Sequence, residues 1–141
     1  MRDPIFPRSP RETMCGWMHL PRYIDKIRLH LAGRLHPDYQ DDFGKGFDHF
    51  WLRAAGLNHE EFVEVVKDSI TDGQVAEWVR RNVHRTETEK HAHAEAMLSL
   101  PKPDDMAMQE RFNQRKADSG FAGREDLLTF LDLIEADEGR A

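Results

Sequence analysis

An all-α fold follows from two properties of the sequence. Apolar residues recur at helical spacing in successive segments, and those segments open on Asn58/Glu61, Thr71/Gln74 and Thr86/Glu89, pairs three residues apart of the kind that caps a helix start. No segment of four or more residues alternates cleanly between apolar and polar side chains, as a half-buried strand would. The expected architecture is a compact single domain over 1–141, a bundle of about six helices. An irregular N-terminal arm over 1–19 packs on its body, and a long ordered loop runs over about 34–49.

The arm is interrupted by Pro4, Pro7 and Pro10 and carries Trp17, whose indole needs burial. The first helix starts near Pro21, a residue suited to a first turn, and stops at Gly33. Tyr23, Ile24, Ile27 and Leu31 share its core face. The aromatic residues Tyr39, Phe43 and Phe47 argue against disorder in the loop that follows. A short helix from Phe50 ends at Gly56. Beyond Asn58, Phe62, Val65, Val66 and Ile70 line one face; beyond Thr71, Val75, Trp78, Val79 and Val83 do the same. Thr86 opens an alanine-rich helix that runs to about Ser99. Asp104 is placed to cap the next helix, and Leu127, Phe130, Leu131 and Ile134 make the last one amphipathic. Trp51 and Trp78 read as core anchors.

Composition narrows the function classes. The formal charge is −6, but residues 1–36 carry +4 and residues 37–141 carry −10. An acidic body argues against nucleic-acid binding, which rests on clustered cations. No apolar run approaches the ~20 residues that span a bilayer, and nothing near the start resembles a secretory segment. The single cysteine, Cys15, excludes an intramolecular disulfide and suits a reducing, cytoplasmic setting.

The first helix holds more charge than packing requires. Arg22, Asp25, Lys26, Arg28 and His30 lie away from the core stripe with Leu29 among them, so this side is expected to be covered. Covered charges must be paired or meet a ligand. Arg22, Asp25 and Arg28 at i, i+3 and i+6 form either an anion-binding set with Lys26, oriented by Asp25, or an intrahelical ion-pair ladder. The balance leans slightly to the ladder.

Other chemistries fail on spacing. A calcium loop from Asp38 would need Gly at Phe43 and Glu at His49. Gly44-Lys45-Gly46 lacks the rest of a phosphate loop and reads as a glycine turn. The row Glu87, His91, Glu95 has no matching pair on a second helix, so no metal or cofactor is expected. Cys15 has no local activating base.

The arm Pro7-Arg8-Ser9-Pro10-Arg11, the stretch Leu20-Pro21-Arg22-Tyr23-Ile24-Asp25-Lys26-Ile27-Arg28 and the pair Ala32-Gly33 resemble a bacterial family known only as a domain of unknown function. The resemblance continues through Tyr39, Asp48, Ala76-Glu77-Trp78 and Phe130-Leu131-Asp132-Leu133. Members of that family often carry Cys-Pro and Asp-Gln in the loop; here the loop reads Phe43 to His49, leaving Asp48 as the counterpart. The resemblance implies a compact helical bacterial domain and supplies no activity.

The leading expectation is a protein that binds a small anion through Arg22, Lys26 and Arg28, with Asp25 orienting them and Tyr39 and Asp48 approaching from the loop. One alternative is a small-molecule enzyme with Asp48 or His30 as acid/base. The other is a regulatory or assembly module, with a homodimer through the C-terminal helix.

Overall fold

The computed structural model describes residues 5–140; the expectation for Pro4 lies outside them. The chain is mainly helical. Among the described residues there are eight helices, not six, and one short two-stranded sheet where the arm was expected to be irregular.

That sheet is a hairpin of β1 (Thr13–Met14) and β2 (Trp17–Met18), with Thr13 opposite Met18 and Met14 opposite Trp17. Cys15 at φ 54° and Gly16 at φ 80° form its two-residue turn. Two positive φ values in succession give the twist that right-handed strands need. Strands this short leave no alternation to read in the sequence.

Helix α1 (Leu20–Leu31) has Pro21 in its first turn as expected, with His19 before it at φ 78°. Leu20, Tyr23, Ile24 and Ile27 are fully buried, whereas Leu31 is 44% exposed. The whole end of the helix, residues 30–33, faces water, so the core stripe stops one turn early. The long loop is mostly helical. It contains α2 (Pro37–Gln40), and α3 (Gly46–Ala55) starts four residues before Phe50. The early start comes from Asp48, whose carboxylate accepts a bond from the Gly44 N–H (3.0 Å) and closes the turn leading into the helix.

The capping cues hold. Ahead of α4 (His59–Lys67), Asn58 accepts from the Glu61 N–H at 2.7 Å. Ahead of α5 (Asp72–Asn82), Thr71 and Gln74 cap each other. Thr86 and Glu89 do so ahead of α6 (Glu87–Leu98), at 3.1 and 3.2 Å.

The chain divides into two compact units, the first to Ala94 and the second from Glu95. In the first, Trp17, Tyr23, Trp51 and Phe62 form the aromatic centre of the core. Trp17 meets Trp51 edge-on at 6.1 Å, and Trp51 lies 4.8 Å from Phe62. The arm is therefore packed through Trp17, which is 1% exposed. Trp78 is only partly buried against this core.

The second unit contains α7 (Met106–Asp118) and α8 (Phe130–Asp137). Asp105, one residue past the expected Asp104, caps α7. Thr129 and Asp132 form a capping box for α8, so Leu127 precedes that helix instead of belonging to it. Leu127, Leu133 and Ala136 pack on Phe112.

Gly44 lies at φ +74°, and a Cβ there would sit 2.6 Å from His59 Nδ1. Gly33, at φ +69°, has open space around it. Gly33→Ala is expected to cost only the left-handed backbone penalty of about 1–2 kcal/mol. Gly44→Ala must add the displacement of His59, and urea denaturation of both variants should show the larger loss at position 44.

Candidate functional site

The charges of α1 do not form the expected ladder. Asp25 is held by the arm: Arg8 donates to it from its backbone N–H and Nε (both 2.9 Å) and from Nη2 (3.0 Å). Arg8 Nη2 also meets Asp72 at 3.0 Å, and Arg28 reaches the other Asp72 oxygen at 3.4 Å and donates to the Ile70 carbonyl at 3.2 Å. Arg22 is buried, donates to the Arg8 carbonyl at 3.2 Å and lies over the Tyr39 ring at 5.5 Å. The result is an Asp25–Arg8–Asp72–Arg28 chain that fastens the arm and α5 to α1. Its central member, Arg8, stands in a proline-rich stretch where the sequence offers no helical spacing to reveal a partner.

Asp48 and Lys26 do come together, inside the protein. Asp48 is fully buried and accepts from Lys26 Nζ and His19 Nε2, each at 2.7 Å, as well as from the Gly44 N–H. Lys26 and His19 are 4% and 2% exposed. Burial by itself pushes the Asp48 carboxyl up, but the His19 bond and the Lys26 charge outweigh it and hold the group below the usual carboxylate range. Burial pushes His19 down more than Asp48 raises it. His19 is therefore neutral, with its Nε2 hydrogen on Asp48, and its buried Nδ1 meets no hydrogen-bond partner among the described residues. His19 went unrecognised in the sequence because it precedes the helix and shares no periodicity with Asp48.

Beside this cluster the Tyr23 hydroxyl and His59 Nδ1 share a hydrogen bond at 2.5 Å. His59 packs edge-on to Phe43 (4.7 Å), whose other neighbour is His30, also at 4.7 Å. His30 is exposed and Asp48 sealed, so the two expected acid/base candidates occupy opposite environments.

A second constellation lies where the hairpin turn meets the end of α5 and the start of α6. A cavity of about 470 Å³ opens there. Its polar wall is Arg80, His84, Arg85, Thr86 and Lys90; its apolar wall is Trp17, Val79 and Val83, with Cys15 beside them. Among the described residues no carboxylate lines it. Lys90 Nζ donates to the Cys15 carbonyl at 2.9 Å and lies 6.0 Å from the centre of the Trp17 ring. Burial pushes the Cys15 thiol up despite the nearby Arg80 and Lys90, and Sγ donates to the Ala76 carbonyl at 3.5 Å. The interleaved Glu77, Glu87 and Glu89 make this stretch read as an ordinary solvated face in the sequence.

A family model covers residues 5–140, nearly the whole chain. The chain belongs to the domain-of-unknown-function family DUF5069. No curated protein matches it. Among the described residues of this DUF5069 domain no group of three His, Cys, Asp or Glu side chains converges as metal ligands. No helix there is long and apolar enough to cross a membrane.

The titrations of the buried cluster have a definite sign. Burial is the largest influence on His19, His59 and His93 and lowers all three. In the unfolded chain each takes a proton near pH ~6.5 while the folded chain resists it, so acidification below that value favours unfolding. The depressed Asp48 acts in the same direction at lower pH: its contribution is complete above the unfolded value of ~3.9 and is lost as pH falls through the folded one. Urea midpoints are expected to fall steadily from pH 7 to pH 5, and His19→Gln should flatten that slope. At pH 7, Asp48→Asn leaves Lys26 buried without its counter-charge and should cost about 3–5 kcal/mol.

Proposed function

We propose that this chain is a non-catalytic module that binds a small anionic ligand in the basic pocket bounded by Arg80, Arg85 and Lys90. The observation that carries the reading is the composition of that wall, with several cations lining one cavity and no carboxylate among its described lining residues, in a chain of net charge −6. Field lines from clustered like charges focus in a cleft with low-dielectric walls and draw counter-ions to it.

The first helix was the expected location, and its cations have other work. Lys26 neutralises Asp48, and Arg28 shares Asp72 with Arg8. An anion there must displace a built-in carboxylate. At the pocket the competing groups are Glu87, 3.4 Å from Lys90, and Glu89, 3.8 Å from Arg85, side chains largely open to water and cheaply displaced. An acid/base role for Asp48 has little support, because both its oxygens are engaged and neither is exposed. A reducing, cytoplasmic setting fits the lone thiol at the pocket edge.

A thermal-shift series with small anions tests the assignment. A ligand at about 100-fold over its dissociation constant should stabilise the wild type by ~2.7 kcal/mol. Arg80→Ala is expected to abolish most of that shift, while Arg28→Ala lowers the starting melting temperature and keeps the shift. The reverse pattern places the site on the first helix.

A further inference from the structure

We infer that the ligand of this pocket is a phosphate monoester carrying an apolar or aromatic body, an inference that rests on the anion-binding reading above. The first argument is size. A cavity of about 470 Å³ lies in the range of sites for whole small molecules, far more than a bare oxyanion fills. A lone inorganic anion would occupy the cationic end and leave the rest to water.

The second argument is the division of the walls. Trp17, Val79 and Val83 back the cavity on one side; at 1%, 1% and 6% exposed they are fixed in the core and form a floor of which only a rim is open. Apolar surface laid on that floor leaves water and adds affinity in proportion to its area. A ligand that is charged throughout cannot use it.

The third argument is charge. Arg80, Arg85 and Lys90 supply three permanent positive charges, more than one carboxylate can satisfy. A phosphate monoester carries close to two negative charges at neutral pH and offers three acceptor oxygens. Arg85 is held in place at the cavity edge. Its Nε donates to the Ala54 carbonyl and its Nη1 to the His84 carbonyl, each at 2.9 Å. Nη2 lies so close to Gly56 that a Cβ there would come within 2.7 Å. A guanidinium fixed in this way loses little side-chain freedom on binding. Arg80 is the opposite kind of group: its side chain is 62% exposed, and its Glu77 contact is a loose 3.9 Å. It is long enough to fold over a bound phosphate as the adaptable contact.

Calorimetric titration of the intact chain with phenyl phosphate, inorganic phosphate and benzoate tests this. Phenyl phosphate is expected to bind about tenfold or more tighter than either of the others, because it alone combines the dianion with an apolar ring. Arg80→Ala, at an exposed position where folding is not at stake, should weaken phenyl phosphate by at least about tenfold and benzoate by less. Benzoate binding as tightly as phenyl phosphate overturns the phosphate assignment and leaves the anion site standing. Inorganic phosphate matching phenyl phosphate overturns the apolar body. Absence of binding by all three anions, with no thermal shift from any small anion, overturns the pocket as an anion site and this inference with it.

Discussion

A carboxylate that water does not reach is tolerated only when its charge and its lone pairs are met, and Asp48 sets that condition for the first unit. Lys26 supplies the charge, His19 a neutral N–H and Gly44 a backbone N–H. Each donor comes from a different piece of chain: the body of α1, the residue that joins the hairpin to it, and the turn before α3. One buried group thus fixes three segments relative to one another. The left-handed backbone of His19 is held by this demand. So is the tight turn at Gly44, which must pass over His59 to bring its N–H to the carboxylate. Such sites contribute more to uniqueness of structure than to net stability.

Around that centre the molecule distributes its charges by pairing. Three cations of the basic first quarter are paired with the protein's own acids: Arg8 with Asp25 and Asp72, Lys26 with Asp48, Arg28 with Asp72. The cations that bound the cavity come from the acidic remainder, where clustered glutamates mask them in any average over the sequence. The proposed binding cations thus lie outside the segment whose net charge is positive. Net charge gives the sum of charges, whereas binding depends on whether the carboxylate at close range is buried, as Asp48 is, or open to water, as Glu87 is.

Local signals in the sequence were dependable. The capping pairs at Asn58, Thr71 and Thr86 each open a helix, because a side chain three residues from its backbone partner needs nothing from the rest of the fold. The stripe of Tyr23, Ile24 and Ile27 is buried as its spacing requires. Long-range pairings were not legible. Arg8 finds Asp25 across 17 residues, and His19 finds Asp48 across 29. Neither pair has a periodicity: one joins the arm to α1, the other joins the residue before α1 to α3. The hairpin escaped notice for a different reason: Cys15-Gly16 is not among the usual turn pairs, and each strand is two residues long. The early start of α3 was hidden by Gly44 and Gly46: the expected glycine turn is there, but Asp48 closes it and the helix begins at Gly46 itself.

The thiol of Cys15 has a consequence for the neighbouring cations that its own reactivity does not convey. Ionised, it would place a full negative charge beside Arg80 and Lys90 and serve as a counter-ion built into the cavity wall. Burial keeps the proton on sulfur, and the hydrogen bond to the Ala76 carbonyl gives that proton a resting place. The sulfur then behaves as a small soft apolar surface, and the positive potential of the pocket stays undiluted. A residue usually considered for what it attacks here matters for the charge it declines to carry.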